Sequence, residues 1–116
     1  MTKIKICGIK TINDALVAIE AGTDYLGFNF YPKSVRFIEK QVCVEITSVL
    51  KKEFTQIKLV GVFVNSSVGE VKDILKSCLL DLAQLHGDET PEMLKTLDGK
   101  AFKAFRGISV SVDDFA

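Results

Sequence analysis

The stretch that decides the fold stands at the start of the chain and reads Lys3-Ile4-Lys5-Ile6-Cys7. Polar and apolar side chains alternate along it, which is typical of a β-strand with two unlike faces. Ile4 and Ile6 lie on one face of such a strand, and Lys5 and Cys7 lie on the other. Where helices cover one side of the sheet, the isoleucines face them. We therefore expect Cys7 on the side of the sheet away from the helices.

Strand patterns and helical patterns alternate outward from this stretch. Strands are predicted over 3–7, 25–30, 58–64, 82–86 and 102–106. Apolar residues spaced three and four apart predict the intervening helices. These residues are Ile12, Ala15, Leu16 and Ile19, then Val42, Ile46, Val49 and Leu50, then Val68, Val71, Leu75, Cys78 and Leu79. The order predicts βα units around a parallel sheet, which is either a barrel or an open, doubly wound sheet.

Capping residues predict where the helices begin and end. Thr11 with Asp14 forms a capping-box pattern at the start of the first helix, and Gly22 stands just past its end. Ser67 opens the third helix. Thr90 followed by proline predicts the start of a short fourth helix, which Gly99 ends.

The length of 116 residues limits how much of a barrel is present. A complete eight-unit barrel needs roughly 200 residues or more, so the expected content is βα units 1 to 4 plus strand 5. Residues 107–109 look like a loop, and Ser111 with Asp114 then has the spacing of another N-cap just before the last residue. We expect residues 1–116 to be one incomplete barrel domain that has been cut.

Composition excludes several classes of protein. Fifteen basic residues balance fifteen acidic ones, and no basic stripe is interleaved with aromatic residues, so a nucleic-acid surface is not expected. No apolar stretch approaches the roughly 20 residues that span a bilayer. The chain opens on a strand pattern instead of a signal peptide, which favours a cytoplasmic protein.

The three cysteines are far apart and do not form a zinc pattern. Cys43 and Cys78 fall in helical patterns and are interpreted as small apolar core residues. Cys7 ends a strand, where a βα barrel or an open α/β sheet binds its ligands. A thiol there can act as base or nucleophile once its pKa falls below about 8.5, and the Lys5 ammonium on the same face favours the thiolate. The alternative is that Cys7 is also a small buried residue.

Other polar residues stand where the predicted strands end. Arg36 follows a Pro-Lys-Ser turn and is suited to binding a carboxylate or phosphate, although it can equally be an exposed loop residue. Gln84 shares a strand face with His86, so both can point into the barrel. Asn65, like the polar residues Asp88 and Glu89, can instead cap the helix that follows.

Four sequence blocks together resemble the phosphoribosylanthranilate isomerase family. They are residues 5–10 (KICGIK), residues 27–38 (GFNFYPKSVRFI), residues 60–65 (VGVFVN) and residues 84–89 (QLHGDE). The resemblance implies a TIM (βα)8 barrel and an isomerase of tryptophan biosynthesis that needs no cofactor. Its reaction is an Amadori rearrangement of N-(5-phosphoribosyl)anthranilate to 1-(2-carboxyphenylamino)-1-deoxyribulose 5-phosphate.

The resemblance also implies roles for single residues. By position, Cys7 is the general base and Arg36 binds the anthranilate carboxylate, with Gln84 and His86 as weaker candidates for substrate binding. The general acid of the family is an aspartate that ends the sixth strand, so it is expected beyond residue 116, and neither Asp113 nor Asp114 is given that role. The phosphate site of the family, built by loops after its last two strands, is likewise not expected here. The family usually has proline at the position of Val35.

Two readings compete for the whole chain. In the first, it is a fragment of the isomerase that is inactive alone, that associates through its open sheet edges or is fused to a neighbouring pathway enzyme. In the second, it is a flavodoxin-like module of five strands that binds a small molecule or transmits a signal. The Cys-Gly pair at 7–8, where signalling modules of that kind carry acidic residues, favours the first.

Overall fold

Parallel strands alternate with helices along most of the chain. The structure is a computed structural model, and it describes residues 3–85, 97, 101–102 and 107–111. The strands are β1 (Lys3–Cys7), β2 (Tyr25–Asn29), β3 (Lys58–Phe63), β4 (Leu82–Leu85), β5 (Ala101–Phe102) and β6 (Gly107–Ser111). The helices are α1 (Ile12–Glu20), α2 (Lys40–Glu53) and α3 (Val68–Ser77). The first four predicted strands are thus confirmed to within one residue over the described positions.

The order of the strands distinguishes a barrel from a flavodoxin-like sheet. The six strands form one parallel sheet in the order β5-β4-β3-β2-β1-β6. From β1 to β5, each strand therefore lies beside its neighbour in the sequence. A flavodoxin-like sheet has the order 2-1-3-4-5, with a reversal beside its first strand. The flavodoxin-like alternative is therefore wrong.

The sheet is strongly curved. The ammonium of Lys5 on β1 donates a hydrogen bond to the amide oxygen of Gln84 on β4. These strands are three positions apart, which in a flat sheet is about 14 Å. In addition, only four residues join β5 to β6, although these strands are the two edges of the sheet. That link spans at most about 18 Å, whereas five strand spacings in a flat sheet are about 24 Å. Both connections require the sheet to curl as a barrel does.

The helices cover the convex side of this curl. Ile6 and Leu26 are completely buried in one apolar cluster with Ala15 of α1, Cys43 of α2 and Val71 of α3. The concave side carries Lys5, Cys7 and Gln84. The alternation predicted for β1 is therefore confirmed.

The helices bury a strip of residues that coincides only in part with the one that periodicity predicted; in α3 the predicted residues Val71 and Leu75 are buried. In α1 the fully buried residues are Ala15 and Ala18, while the predicted residues Ile12 and Leu16 are about 40% exposed. Small alanine side chains allow the helix backbone to lie close to the sheet. In α2 the buried strip is Cys43, Ile46, Thr47 and Leu50, whereas Val42 and Val49 are exposed. Cys43 and Cys78 lie in the core, as expected.

Residues 107–109 are not a loop, contrary to the prediction. Gly107–Ser111 forms β6, which pairs in parallel register with the whole of β1, from Lys3 beside Gly107 to Cys7 beside Ser111. The edge of β1 offers unpaired N–H and C=O groups, and a partner strand satisfies them. The sheet therefore has one strand more than the five predicted from the sequence. Of the predicted strand 102–106, only Phe102 is described, in β5. Of the predicted fourth helix only Leu97 is described, and Asp114 lies outside the described residues.

The ends of the helices and strands are tied by side chains. Asp14 N donates to Thr11 Oγ1 at 3.0 Å and Thr11 N donates to Asp14 Oδ2 at 3.2 Å, which is the predicted capping box. Ser67 caps α3 as predicted. Asp24 precedes β2 and Asp81 precedes β4, and the two side chains make equivalent hydrogen bonds to neighbouring strands. Each carboxylate accepts a backbone N–H of the preceding strand at 2.8 Å, from Ile4 and Leu59 respectively. No helix within the described residues is long and apolar enough to cross a membrane.

Candidate active site

A pocket of about 430 Å³ opens on the concave face, towards the carboxyl ends of the strands. It is lined by residues of four strands and of the loops after β2 and β3: Lys5, Cys7, Asn29, Tyr31, Ser34, Val62, Val64 and Gln84. The strand register explains part of this lining, because Asn29 on β2 pairs with Val62 on β3, and Val62 pairs with Gln84 on β4. These three pocket residues thus stand in register on three neighbouring strands.

Cys7 is held at the rim of this pocket by its neighbours on β2. It is the last residue of β1 and is half-buried. The turn after it is fixed because both Gly8 N and Ile9 N donate to the carbonyl of Gly27, at 3.1 and 3.2 Å. Gly8 adopts a φ of +85°, which favours glycine. Gly27 has no side chain below the thiol, and a Cβ there would lie 2.9 Å from Sγ of Cys7.

Arg36 lies in an ordered loop beside the same turn. An ideal Cβ on Gly8 would lie only 3.0 Å from Cδ of Arg36, so the arginine side chain passes directly over Gly8. The peptide unit that precedes Arg36 is held from both sides. Its N–H donates to Ser34 Oγ at 3.0 Å, and its carbonyl, that of Val35, accepts from Lys10 Nζ at 3.3 Å.

The start of this loop is also fixed. Tyr31 N donates to Asn29 Oδ1 at 2.8 Å, and Ser34 N donates to the carbonyl of Tyr31 at 3.0 Å. Ile38 N returns to the carbonyl of Asn29 at 2.9 Å, which closes the loop onto β2. Hydrogen bonds therefore hold the loop at its start, at its end and at the peptide before Arg36.

The structure brings together some of the predicted site residues. Cys7 and Gln84 line one pocket, and Arg36 stands beside Gly8 at the turn that follows Cys7. His86 lies outside the described residues, as do Asp88 and Glu89. Asn65 is not an N-cap, because Ser67 caps α3; it instead adopts a left-handed backbone conformation with φ of +53°.

Sequence reasoning missed two features of the site. Ser34 was read only as part of a turn, although it both lines the pocket and accepts the N–H of Arg36. Its spacing of two residues before an arginine is the only local signal for that bond. Lys5 is completely buried, and its bond to Gln84 joins residues 79 positions apart in the sequence. No local pattern can reveal such a pair.

The other two cysteines, Cys43 and Cys78, are buried in the core and do not line the pocket. Burial raises the pKa of both Cys43 and Cys78 above the ordinary value of a thiol. They therefore stay protonated near neutral pH and behave as apolar core groups. Over the residues described here, no cluster of three His, Cys, Asp or Glu side chains could hold a metal ion.

A curved parallel sheet with helices outside and a polar pocket at the carboxyl ends of its strands defines the class: part of a (βα) barrel of the enzyme type. The comparisons with known proteins identify the family. The protein-family model of N-(5'-phosphoribosyl)anthranilate isomerase matches residues 4–114 of this chain. This chain belongs to that family.

Relatives and solved structures agree with this assignment. The N-(5'-phosphoribosyl)anthranilate isomerase of Geotalea daltonii is 45% identical over 106 residues, which are 91% of this chain and 50% of the relative. That of Trichlorobacter lovleyi is 44% identical over 114 residues, 98% of this chain and 54% of the relative.

A crystal structure of the phosphoribosyl anthranilate isomerase in complex with reduced 1-(o-carboxyphenylamino)-1-deoxyribulose 5-phosphate superposes with a TM-score of 0.80 at 32% identity, covering 96% of this chain and 53% of that one. The enzyme of Thermus thermophilus gives a TM-score of 0.78 at 34% identity, with 85% and 48% covered. The chain thus spans about half the length of the relatives that it matches.

Proposed function

We propose that this chain supplies the general base and the carboxylate-binding side of an enzyme that isomerises N-(5-phosphoribosyl)anthranilate. The observation that carries the proposal is the position of Cys7. It lies at the carboxyl end of β1, on the concave face, in one pocket with polar groups from β2 and β4. In a barrel, that is where the reacting atoms of a substrate lie.

The reaction needs an acid and a base on opposite sides of the sugar. An acid protonates the ribose ring oxygen, the ring C–O bond breaks, and a Schiff base forms between C1 and the anthranilate nitrogen. The thiolate of Cys7 then removes the proton from C2, and the electron pair of that C–H bond forms the enolamine. Tautomerisation to the ketone completes the Amadori rearrangement, and no electrons are gained or lost overall.

Arg36 is the proposed partner of the anthranilate carboxylate. Its guanidinium is always charged and can bind both carboxylate oxygens through two parallel hydrogen bonds. Its loop is held by Ser34 and Lys10 on either side of the preceding peptide. These contacts support an arginine whose direction is set before the substrate arrives. Gln84 is a further binding residue in this proposal, and His86 stays a prediction from the sequence.

The acid and the phosphate site are proposed to come from the part of the family's barrel that this chain does not cover. The chain spans about half the length of its relatives, so we expect it to bind the anthranilate end of the ligand and to show no turnover alone. We further propose a cytoplasmic location and self-association through the open edges of the sheet, or fusion to a neighbouring pathway enzyme.

The test separates binding from turnover. Isothermal titration of the purified chain with reduced 1-(o-carboxyphenylamino)-1-deoxyribulose 5-phosphate should show binding, which Arg36→Met weakens about tenfold or more. Turnover is measured on a version extended by the second half of a family member's barrel. Cys7→Ser should abolish most of it with analogue affinity retained, while Cys43→Ser, a change at a thiol outside the pocket, serves as the control. Undiminished turnover in Cys7→Ser would remove Cys7 from the role of base.

A further inference from the structure

Lys5 is a buried charged residue to which the proposed reaction gives no role. Its side chain is completely buried, it lies on the same face of β1 as Cys7, and it lines the pocket. Burying an ammonium is costly unless hydrogen bonds replace its water. Lys5 Nζ has such a bond with Oε1 of Gln84. The contact crosses the concave face from β1 to β4.

This contact determines which way the Gln84 amide faces. The two ends of a glutamine amide have nearly the same shape, but one is an acceptor and the other carries two donors. An ammonium can only donate, so it selects the oxygen. The amide group is planar, and its nitrogen is therefore turned away from Lys5. Gln84 is 95% buried and still lines the pocket.

We propose that Lys5 is a positioning residue that holds Gln84 with its amide nitrogen directed at the bound substrate. The inference rests on the proposed function, which it deepens. Two N–H donors on a side chain that is 95% buried select ligand groups that are acceptors only, such as a carboxylate or a ketone oxygen. Lys5 itself does not touch the ligand in this arrangement.

The test is a double-mutant cycle in the full chain, with reduced 1-(o-carboxyphenylamino)-1-deoxyribulose 5-phosphate as the titrated probe. Gln84→Glu keeps an acceptor for Lys5 and loses both donors, so affinity should fall about tenfold. Lys5→Met allows the amide to turn over and should weaken binding several-fold. In a Gln84→Leu background, however, Lys5→Met should cost no further affinity, because there is no amide left to orient.

Folding is controlled within the same set of variants. Gln84→Leu alone removes the hydrogen bond between Gln84 and the buried Lys5 ammonium, but the double variant Lys5→Met/Gln84→Leu replaces both groups by apolar ones of similar size and should fold. Lys3→Met removes an exposed lysine from the same strand and should bind the probe as the wild type does.

The possible failures are distinguishable. Wild-type affinity in Gln84→Glu overturns the inference, and so does a loss from Lys5→Met that is equal in both backgrounds, since Lys5 would then act on the ligand directly. If one of these two results is found but Arg36→Met still weakens binding, the proposed function stands and only this inference fails. A wild-type chain that does not bind the probe overturns both.

Discussion

Cys7 packs against Gly27 of the neighbouring strand so closely that a Cβ on Gly27 would come within 2.9 Å of Sγ and 3.2 Å of Cα of Cys7. The position of the proposed base is therefore set by a missing side chain on the neighbouring strand. Cα of Cys7 belongs to the backbone of β1, so it cannot rotate away from a new side chain as a side-chain atom can. Any larger residue at position 27 must move β1, the thiol or both.

Gly27→Ala should consequently destabilise the chain by about 1–3 kcal/mol, the usual cost of overpacking a core. Urea unfolding measures this. The matched control is Gly69→Ala in the first turn of α3, where a Cβ meets nothing closer than 4.0 Å. That change should leave stability equal or raise it by up to about 1 kcal/mol. Equal effects of both substitutions would show that the contact with Cys7 does not constrain β1.

Replacing Asp81 should lower the free energy of unfolding more than replacing Asp73, although both aspartates pair with a lysine. Asp81 accepts from Lys51 Nζ at 2.6 Å and from the N–H of buried Leu59 at 2.8 Å. Asp81→Ala leaves that N–H without its acceptor and should cost about 1–3 kcal/mol. Asp73 pairs with Lys40 at 3.0 Å, with both side chains more than half exposed. Asp73→Ala should change urea unfolding little, because water screens the exposed pair.

The helix α2 begins without a side-chain cap, and supplying one should stabilise the chain. Glu39 has the extended backbone of an N-cap, with φ of −78° and ψ of 151°, but its side chain makes no capping hydrogen bond. Glu39→Ser supplies a hydroxyl such as those with which Thr11 and Ser67 cap their helices, and should add about 0.5–1 kcal/mol. Thr11→Ala should lose about 1 kcal/mol in the same thermal or urea assay. A Glu39→Ser variant less stable than the wild type would contradict this account.

The three thiols should differ in reactivity and in their effect on stability at high pH. Maleimide at neutral pH should modify Cys7 in the folded chain, and Cys43 and Cys78 only after unfolding, as read by peptide mass mapping. Burial raises the pKa of Cys43 and Cys78 in the folded chain. Above roughly pH 9 the unfolded chain releases these protons and the folded chain keeps them. Stability should therefore fall as pH rises through that range, by up to about 1.4 kcal/mol per pH unit for each thiol.

The double variant Cys43→Ala/Cys78→Ala tests the cause of that fall. It should be less stable at neutral pH because it leaves small cavities, but its stability should vary less above pH 9. A slope as steep as that of the wild type would assign the effect to other groups.

The loop that carries Arg36 should lose its rigidity when Ser34 is removed. Ser34→Ala deprives Arg36 N of its acceptor, so hydrogen exchange at that amide should accelerate and analogue affinity should fall a few-fold. Lys10→Met removes an exposed contact to the Val35 carbonyl and should have a smaller effect in the same direction. Lys33→Met changes an exposed lysine of the same loop and is the control. Unchanged exchange in Ser34→Ala would mean that the rest of the loop suffices to hold Arg36.

The sequence predicted the features that depend on near neighbours. Alternation over Lys3–Cys7 is a local property of a strand, and it correctly separated Ile6 from Cys7. The caps at Thr11 and Ser67 were found because their partners stand three residues away. The helix faces were found only in part, since the alanines that approach the sheet most closely are smaller than the residues that dominate a hydrophobic pattern.

What the sequence determined by itself is therefore the parallel βα order, most element ends and the face of β1 that carries Cys7. Only the tertiary structure decided that β6 covers the edge of β1, that Lys5 meets Gln84 across the curved sheet, and that Cys7 rests on Gly27. The physical reason is the same in each case. These relationships join residues that are distant in the chain, and their closeness depends on how strands register and how far the sheet curls, which no local pattern encodes.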